Sequence, residues 1–399
     1  AASDVYKRQY QMRILHTSDW HIGHTLYNYD RTEEQAAMLE QMRRIVADEQ
    51  PDLFLLSGDV YHTSQPSASV QTMFADALLA IHEACPAMTI VVTAGNHDSG
   101  MRHEIFRAPW RRFNVHTIGS LDRENPDSHI IGISGKGYVV AVPYASERFI
   151  PHGFFSGLLD RVRERNSERL PVVMSAHTTV KGCDFTGHDS VTDYTVGGID
   201  YVGIEDFGSG YDYLALGHIH RPQWVHGGSH RVRYSGTPLA VSFDEAYEHS
   251  VSVVTIDGAG EMPVVKTIAI DNPRPLVTLP ASDAADWDSV KALLRDFPDD
   301  IPAYIRLNVR VDDFLPADSM AQALAVVAGK TCRVCHINAV RPQVSAVSAK
   351  MMSVSDFKTR RPIEIARSYA VDTGREFDDD MEAMFNEALA AVMEDERNR

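Results

Sequence analysis

Five times along the chain a short run of β-branched and leucine residues ends directly in a polar cluster: RILHTSDWH, LFLLSGD, TIVVTAGNHD, PVVMSAH and YLALGHIH. Apolar runs of this length suit strands buried on both faces, as in a sheet covered by helices. Between the first three lie RTEEQAAMLEQMRRIVADEQ and SASVQTMFADALLAIHEAC, whose apolar residues recur at helical intervals. The order strand, helix, strand, helix, strand predicts βαβ units with parallel pairing. Ligands of such sheets gather beyond the carboxyl ends of the strands. All five polar clusters fall there, so one site can collect them.

From about Val202 to Ile270 the pattern changes to short strands with glycine turns, read as mostly antiparallel strands completing a second sheet. The paired prolines of DNPRP, residues 271–275, mark a boundary, because they break ladders and helices alike. Beyond it PLVTLP, DWDSVKALLRDFP, AYIRLNVRV, DSMAQALAVVAGK and CRVCHINAVRPQ spell strand, helix, strand, helix, strand. After a serine-dotted stretch, PIEIARSYA and DDDMEAMFNEALAAVMEDE carry helical stripes, with Asp378, Asp379 and Asp380 at the favourable negative start of the second helix. The expected division is a leader at 1–11, a main domain at 12–270, an α/β unit at 276–345, a linker at 346–356 and terminal helices at 357–399. Two helices cannot bury their stripes alone, and both packing back on the main domain and docking to another protein fit them.

Composition narrows this frame. With 399 residues and 44% hydrophobic content the chain can build one large core or two modest ones. Its formal charge of −17 would repel a phosphate backbone unless cations or a basic partner offset it locally. Four cysteines in a chain this long make no disulfide scaffold, which fits a reducing compartment, and neither a signal peptide nor a membrane span is legible. The expectation is a cytoplasmic protein. Residues 1–11, AASDVYKRQYQ, precede a plausible start at Met12 and read as translated adaptor sequence.

The polar clusters carry the chemistry. Asp19 and His21 are close enough in sequence for a tight loop to aim both at one cation, and Asp59 follows Gly58, which lets backbone approach a ligand. GNHD supplies Asn96, His97 and Asp98, SAH supplies His177, and GHIH supplies His218 and His220. Carboxylate, amide oxygen and imidazole together suit manganese, iron or zinc, not calcium. Each signal alone is an ordinary turn or a structural histidine; the five together in order point to a metal site.

The series D-x-H, G-D, G-N-H-D, H and G-H-x-H resembles the calcineurin-like metallophosphoesterase superfamily. More narrowly, HTSDWHIG, GDVYHTSQPS, GNHDS, ALGHIHRPQ and YSGTPLAVSFDE are similar to the nuclease subunits of bacterial SbcCD-type complexes, a likeness running from about Met12 to the C-terminus. The resemblance implies an α/β fold: a two-sheet sandwich flanked by helices, a small α/β capping domain that directs DNA, and C-terminal helices that bind an SbcC ATPase. It implies two divalent ions, most often manganese, one held by Asp19, His21, Asp59 and His220 and the other by Asp59, Asn96, His177 and His218, with Asp59 bridging. His97 would donate a proton or stabilise the leaving oxygen, oriented by Asp98, and His62 would assist by orienting substrate. The activity implied is double-strand exonuclease and single-strand or hairpin endonuclease in repair and recombination, by a homodimer within a heterotetramer. Rival readings are a phosphoesterase acting on small esters and a non-catalytic scaffold, because the ligand set does not encode the leaving group.

The remaining signals are read as follows. His16 is expected to support the ligands by hydrogen bonding, and His24 to face solvent or the DNA path. Cys332 and Cys335 lack the second pair a closed zinc site needs and are read as structural. AGKT, residues 328–331, is read as a helix end with a turn and not a phosphate loop. For MRHEIFRAPWRRF, residues 101–113, contact with a DNA backbone and a solvated helix with an aromatic inner face both stay open.

Overall fold

The computed structural model describes residues 11–341 apart from 147–148, 188–200 and 313, together with 363–364, 366–367, 370, 377–378, 381–386 and 389. The expected leader, apart from Gln11, and the expected linker lie outside the described residues.

The first sheet is built as the periodicity predicts. Strands β1 (Met12–Thr17), β2 (Leu53–Ser57), β3 (Thr89–Thr93) and β4 (Val115–Ile118) run parallel in that order. Helices α1 (Thr32–Glu49) and α2 (Ala68–Ala84) make the first two crossovers. Helix α1 buries Gln35, Met38, Leu39, Met42, Ile45 and Val46, one continuous stripe of turns. Helix α2 opens at Ser67, whose side chain accepts from the Val70 amide, and buries Phe74, Leu78 and Ile81. The short α3 (Gly100–Ile105) follows β3.

The second sheet has the order β5 (Ile130–Ile133), β6 (Gly137–Ala141), β7 (Val172–His177), β8 (Tyr213–Gly217), β10 (Val232–Tyr234), β9 (Gln223–Trp224), with α4 (Phe154–Arg165) on its outer face. The five apolar runs therefore divide between two facing sheets: β1 to β3 on one, β7 and β8 on the other. Alternation along the strands builds the layers. Met12, Ile14, Leu53 and Leu55 meet Val139, Val173, Tyr213 and Ala215 between the sheets, while Leu15, Phe54 and Leu56 face α1 and α2. These positions are almost wholly withdrawn from water, which is why the runs read as continuously apolar.

One expectation needs correction. The strands between Val202 and Ile270 do not all complete the second sheet: β10 pairs parallel with β8, and the hairpin of β11 (Ser250–Ile256) and β12 (Val264–Ala269) joins the first sheet, antiparallel beside β1. Val251 packs under the helices and Val254 and Ile256 lie between the sheets. Local alternation fixes which residues are buried but not which edge a hairpin extends.

The α/β unit has the predicted order. Strands β13 (Leu276–Leu279), β14 (Tyr304–Arg310) and β15 (Arg333–Val340) are parallel, crossed by α5 (Trp287–Asp296) and α6 (Ser319–Val326) over a separate core of Val290, Leu294, Ile305, Leu307 and Val309. Lys330 of AGKT donates to the carbonyls of Arg295 and Phe297 at 2.9 and 2.6 Å and so closes the end of α5. Cys332 and Cys335 are free thiols buried in different clusters, as a structural reading requires. The unit seats on the main domain through Leu26, Phe243, Tyr304 and Cys335, and Arg306 pairs with Asp244 at 2.6 Å.

In the tail, Asp378 stands before a helical run that begins at Met381, and its carboxylate accepts from the Met381 amide at 2.9 Å. Asp379 and Asp380 lie outside the described residues. Among the described residues no helix is long and apolar enough to cross a membrane.

Candidate metal centre

All five polar clusters meet at one end of the sandwich. The loops after β1 and β2 lock together through backbone bonds from Asp19 N to Gly58 O, His21 N to Asp59 O and Ile22 N to Val60 O, at 3.0, 3.1 and 2.9 Å. Asp19, His21, Asp59 and His218 each hold positive φ, between 45° and 95°. Left-handed backbone at four non-glycine positions stores strain, and here it turns four side chains out of their strands into one space. The neighbouring glycines leave room: a Cβ on Gly58 would stand 2.1 Å from His177 Nδ1, and one on Gly95 would stand 2.1 Å from Asp59 Oδ1.

The donor atoms close on two overlapping spaces. His21 Nε2 faces His220 Nε2 at 3.2 Å. Asn96 Oδ1 stands 3.0 Å from both His177 Nε2 and His218 Nδ1. Asp59 Oδ2 lies between them, 3.8 Å from His21 Nε2 and 3.4 Å from His177 Nε2. Donor atoms of Asp19, His21 and His220 fall within 4.8 Å of one another, as do those of Asp19, Asp59 and His177 and those of His21, His62 and His97. Two donors bound at about 2.1 Å to one ion stand roughly 3.0–3.4 Å apart at octahedral to tetrahedral angles. The His21–His220, Asn96–His177, Asn96–His218 and Asp59–His177 spacings fall in that range, and the Asp59–His21 spacing is wider at 3.8 Å. The donor set fits divalent metal.

The outward nitrogens of His177 and His220 are anchored, which aims their inward ones. His177 Nδ1 donates to Ser57 O at 2.8 Å, and His220 Nδ1 bonds Glu245 Oε1 at 2.9 Å. Asp19 accepts from Ser18 Oγ at 2.5 Å and from the His218 amide at 3.0 Å. Among the described residues the buried Nδ1 of His21 has no hydrogen-bond partner.

Electrostatics follow the same plan. Burial alone would lower His177, but the adjacent Asp59 carboxylate holds it up to about 9. Burial pushes Asp59 up, and the surrounding imidazoles, His177 first, outweigh it and hold the carboxyl below the usual range. Burial lowers His21 well below its ordinary value, His218 to about 3 and His62 to about 4. Burial, the largest cause, also raises the Asp19 carboxyl above its ordinary range. Neutral imidazoles and ionised carboxylates are the states that ligate metal, so the protons favoured on His177 and Asp19 stand where a cation would replace them.

His97 stands at the rim. Its Nδ1 donates to the His62 carbonyl at 2.9 Å and its amide donates to Asp59 Oδ1 at 2.8 Å, while its ring stacks on the His62 ring at 5.6 Å. Asp98, expected to orient His97, does something else: it accepts from the amides of Val60, Tyr61 and Gly95 at 3.1, 2.9 and 2.9 Å and ties the β2 and β3 loops together. His16 bonds the Tyr213 hydroxyl at 2.9 Å between the sheets, and among the described residues its side chain makes no hydrogen bond to a candidate ligand. His24 is not solvent-facing. It is buried, bonded to Arg31 and packed on the His62 ring at 4.6 Å, because the loop after His21 folds back under α1. Glu245 closes the motif YSGTPLAVSFDE, and nothing in that motif marks it as a support for a histidine; its partner lies 25 positions away in the chain, and only the fold reveals the pairing.

In residues 101–113 the inner-face reading fails for two of three aromatics. Phe106 and Phe113 are 53% and 41% exposed, beside exposed Met101 and Ile105, and only Trp110 packs against the core.

A two-sheet sandwich bearing these loops at one end defines a metal-dependent phosphoesterase, and the calcineurin-like phosphoesterase family model matches residues 12–222. The chain is 31% identical to the D subunit of the SbcCD nuclease of Rhodobacter capsulatus over 85% of its own length and 90% of that protein. The same subunit of Bacillus subtilis is 32% identical over 77% of this chain and 82% of its own, and that of Escherichia coli K12 is 27% identical over 76% and 79%. The chain belongs to the calcineurin-like phosphoesterases and, within them, to the family of SbcCD nuclease D subunits.

Proposed function

We propose that this chain is the D subunit of an SbcCD-type complex, a metal-dependent nuclease that hydrolyses DNA phosphodiesters and works with an SbcC ATPase. The observation that carries the reading is the gathering of seven candidate donors from five strand ends into one space, with Asp59 between His21 and His177 and Asp19 grouped with both. Asp19, His21, Asp59 and His220 would hold one ion, and Asp59, Asn96, His177 and His218 the other. Manganese suits this mixture of carboxylate, amide and imidazole. When bound, paired divalent ions supply charge for the phosphate oxygens and lower the pKa of water.

The protein's own groups complete the reaction. His97 donates a hydrogen bond from Nδ1 to the His62 carbonyl and keeps that proton, so its Nε2 is free to carry a second proton toward the leaving sugar oxygen. His62 assists by stacking on that ring and bearing the carbonyl that fixes it.

Exonuclease action on duplex ends and endonuclease action on hairpins and single strands belong to the same proposal. The exposed row Met101, Ile105 and Phe106 offers the apolar face a homodimer would bury, with Arg111 and Arg112 exposed nearby for a DNA backbone. The tail, with Met384 67% exposed, is the proposed contact for SbcC. The test is manganese-dependent cleavage of labelled duplex and hairpin DNA with and without SbcC. Cleavage of both is expected; hydrolysis confined to small phosphate esters would overturn the nuclease reading.

A further inference from the structure

Arg31 is 1% exposed, an unusual place for a guanidinium, and no carboxylate lies within hydrogen-bonding reach of it among the described residues. Its Nη1 donates to His24 Nδ1 at 3.1 Å and to the Ala240 carbonyl at 2.6 Å, while Nε and Nη2 are buried without a partner. Two unsatisfied donors on a buried charge are costly. The nearby Glu34 and Glu245 carboxylates offset part of that cost through space, and Tyr304 and His24 contact the group on either side.

On one side stands the α/β unit. The guanidinium carbon lies 5.9 Å from the centre of the Tyr304 ring, the first residue of β14, and the Tyr304 hydroxyl donates to Glu34 Oε1 at 2.6 Å. A cation buried against an aromatic face gains from it when desolvated. On the other side stands the metal centre. Arg31 can only donate, so His24 Nδ1 must accept, and the proton of neutral His24 is fixed on Nε2. That ring packs edge-on against His62 at 4.6 Å, and His62 carries both the ring and the carbonyl that place His97.

We propose that Arg31 is a positioning residue that couples the seating of the α/β unit to the placement of His62 and His97, through the tautomer and orientation of His24. The inference rests on the proposed role of His97 as proton donor. Tyr304, Arg31, His24, His62 and His97 form one series of neighbours in contact. A shift of the α/β unit moves the Tyr304 ring, loosens the guanidinium and frees His24 to change tautomer. Misplacement of a reacting group by about an ångström costs up to 100-fold in rate, so small displacements suffice.

The test uses the full chain loaded with zinc, which is diamagnetic, and two readouts. The first is the protonation of His24 in two-bond proton–nitrogen correlation spectra, assigned with H24N. The second is kcat and KM on bis(p-nitrophenyl) phosphate in manganese. Wild-type protein should show His24 protonated on Nε2. In R31M and Y304L that signal should move toward a mixture of tautomers and kcat should fall about tenfold at constant KM, while R31K, which keeps one donor, should retain the tautomer and most of kcat. Where R31M fails to fold, Y304L carries the same comparison. An unchanged His24 signal, or an unchanged kcat, in the folded variant overturns the coupling. Absence of hydrolysis by the wild type instead overturns the reading of His97, and the spectra still decide what Arg31 does to His24.

Discussion

Glu245 Oε1 accepts a hydrogen bond from His220 Nδ1 at 2.9 Å, inside the protein and beyond the ring of metal-facing atoms. Burial lowers the imidazole, but the carboxylate overcomes it and raises His220 above its ordinary value. In the neutral ring that bond keeps the proton on Nδ1 and leaves the Nε2 lone pair facing His21 Nε2 at 3.2 Å. A carboxylate behind a ligating histidine fixes ring and tautomer and makes the ligand more basic. Glu245→Gln should therefore weaken metal binding by about 10–100-fold without unfolding the protein. Calorimetric titration with manganese checks it; unchanged affinity would remove Glu245 from the support of the site.

His97→Asn separates metal binding from chemistry. The His97 ring packs edge-on against His21 at 4.9 Å but is not one of the seven proposed ligands, and its amide bond to Asp59 survives the substitution. Loss of a positioned proton donor typically costs about 100–10,000-fold. The expected result is two bound metal ions per chain by elemental analysis with cleavage lost; full cleavage would dismiss His97 from the mechanism.

Gly58→Ala should empty the site. The new Cβ would lie 2.1 Å from His177 Nδ1, and φ of +87° is strained for any other residue. Strain of this kind costs about 1–3 kcal/mol, and the His177 ring must also leave its bond to Ser57 O. Metal content and thermal midpoint should both drop, whereas Gly135→Ala, with nothing within 4 Å of the added carbon, should bind metal normally.

Acid should act on the metal-free protein through its buried imidazoles, His16 between the sheets among them. Burial first, and Arg233 second, lower His16 to about 3 against 6.5 in an unfolded chain. The folded state thus binds fewer protons than the unfolded one, so the stabilisation is complete above pH 6.5 and is lost as pH falls from 6.5 toward 3. In metal-free protein the urea midpoint should fall over that window, and His16→Gln should flatten the fall. Equal slopes for the two would contradict the assignment.

Deleting residues 357–399 should abolish co-purification with SbcC and leave manganese binding intact, since every proposed ligand lies before residue 221. A retained complex would move the contact elsewhere.

The sequence made β1 to β3, β7 and β8 legible because strands buried on both faces leave unbroken apolar runs, and α1 and α2 legible because their stripes repeat each turn. It also singled out the seven candidate donors, because six of them follow their strands within a few residues and His177 is the last residue of β7. What it could not give were pairings between distant segments. The hairpin β11–β12 extends the first sheet because its faces match β1, a relation between surfaces over 230 residues apart. His24 reads as a loop histidine until α1 covers it, and Asp98 reads as a partner of its neighbour His97 until the amides of Val60, Tyr61 and Gly95 surround it.

One carboxylate, Asp59, is proposed to serve two cations, and every role assigned to the surrounding donors depends on it. Anomalous diffraction at the manganese edge from crystals grown with manganese tests this most directly. Two peaks about 3.5–4 Å apart on either side of Asp59 are expected; a single peak, or peaks away from Asp59, would contradict the account.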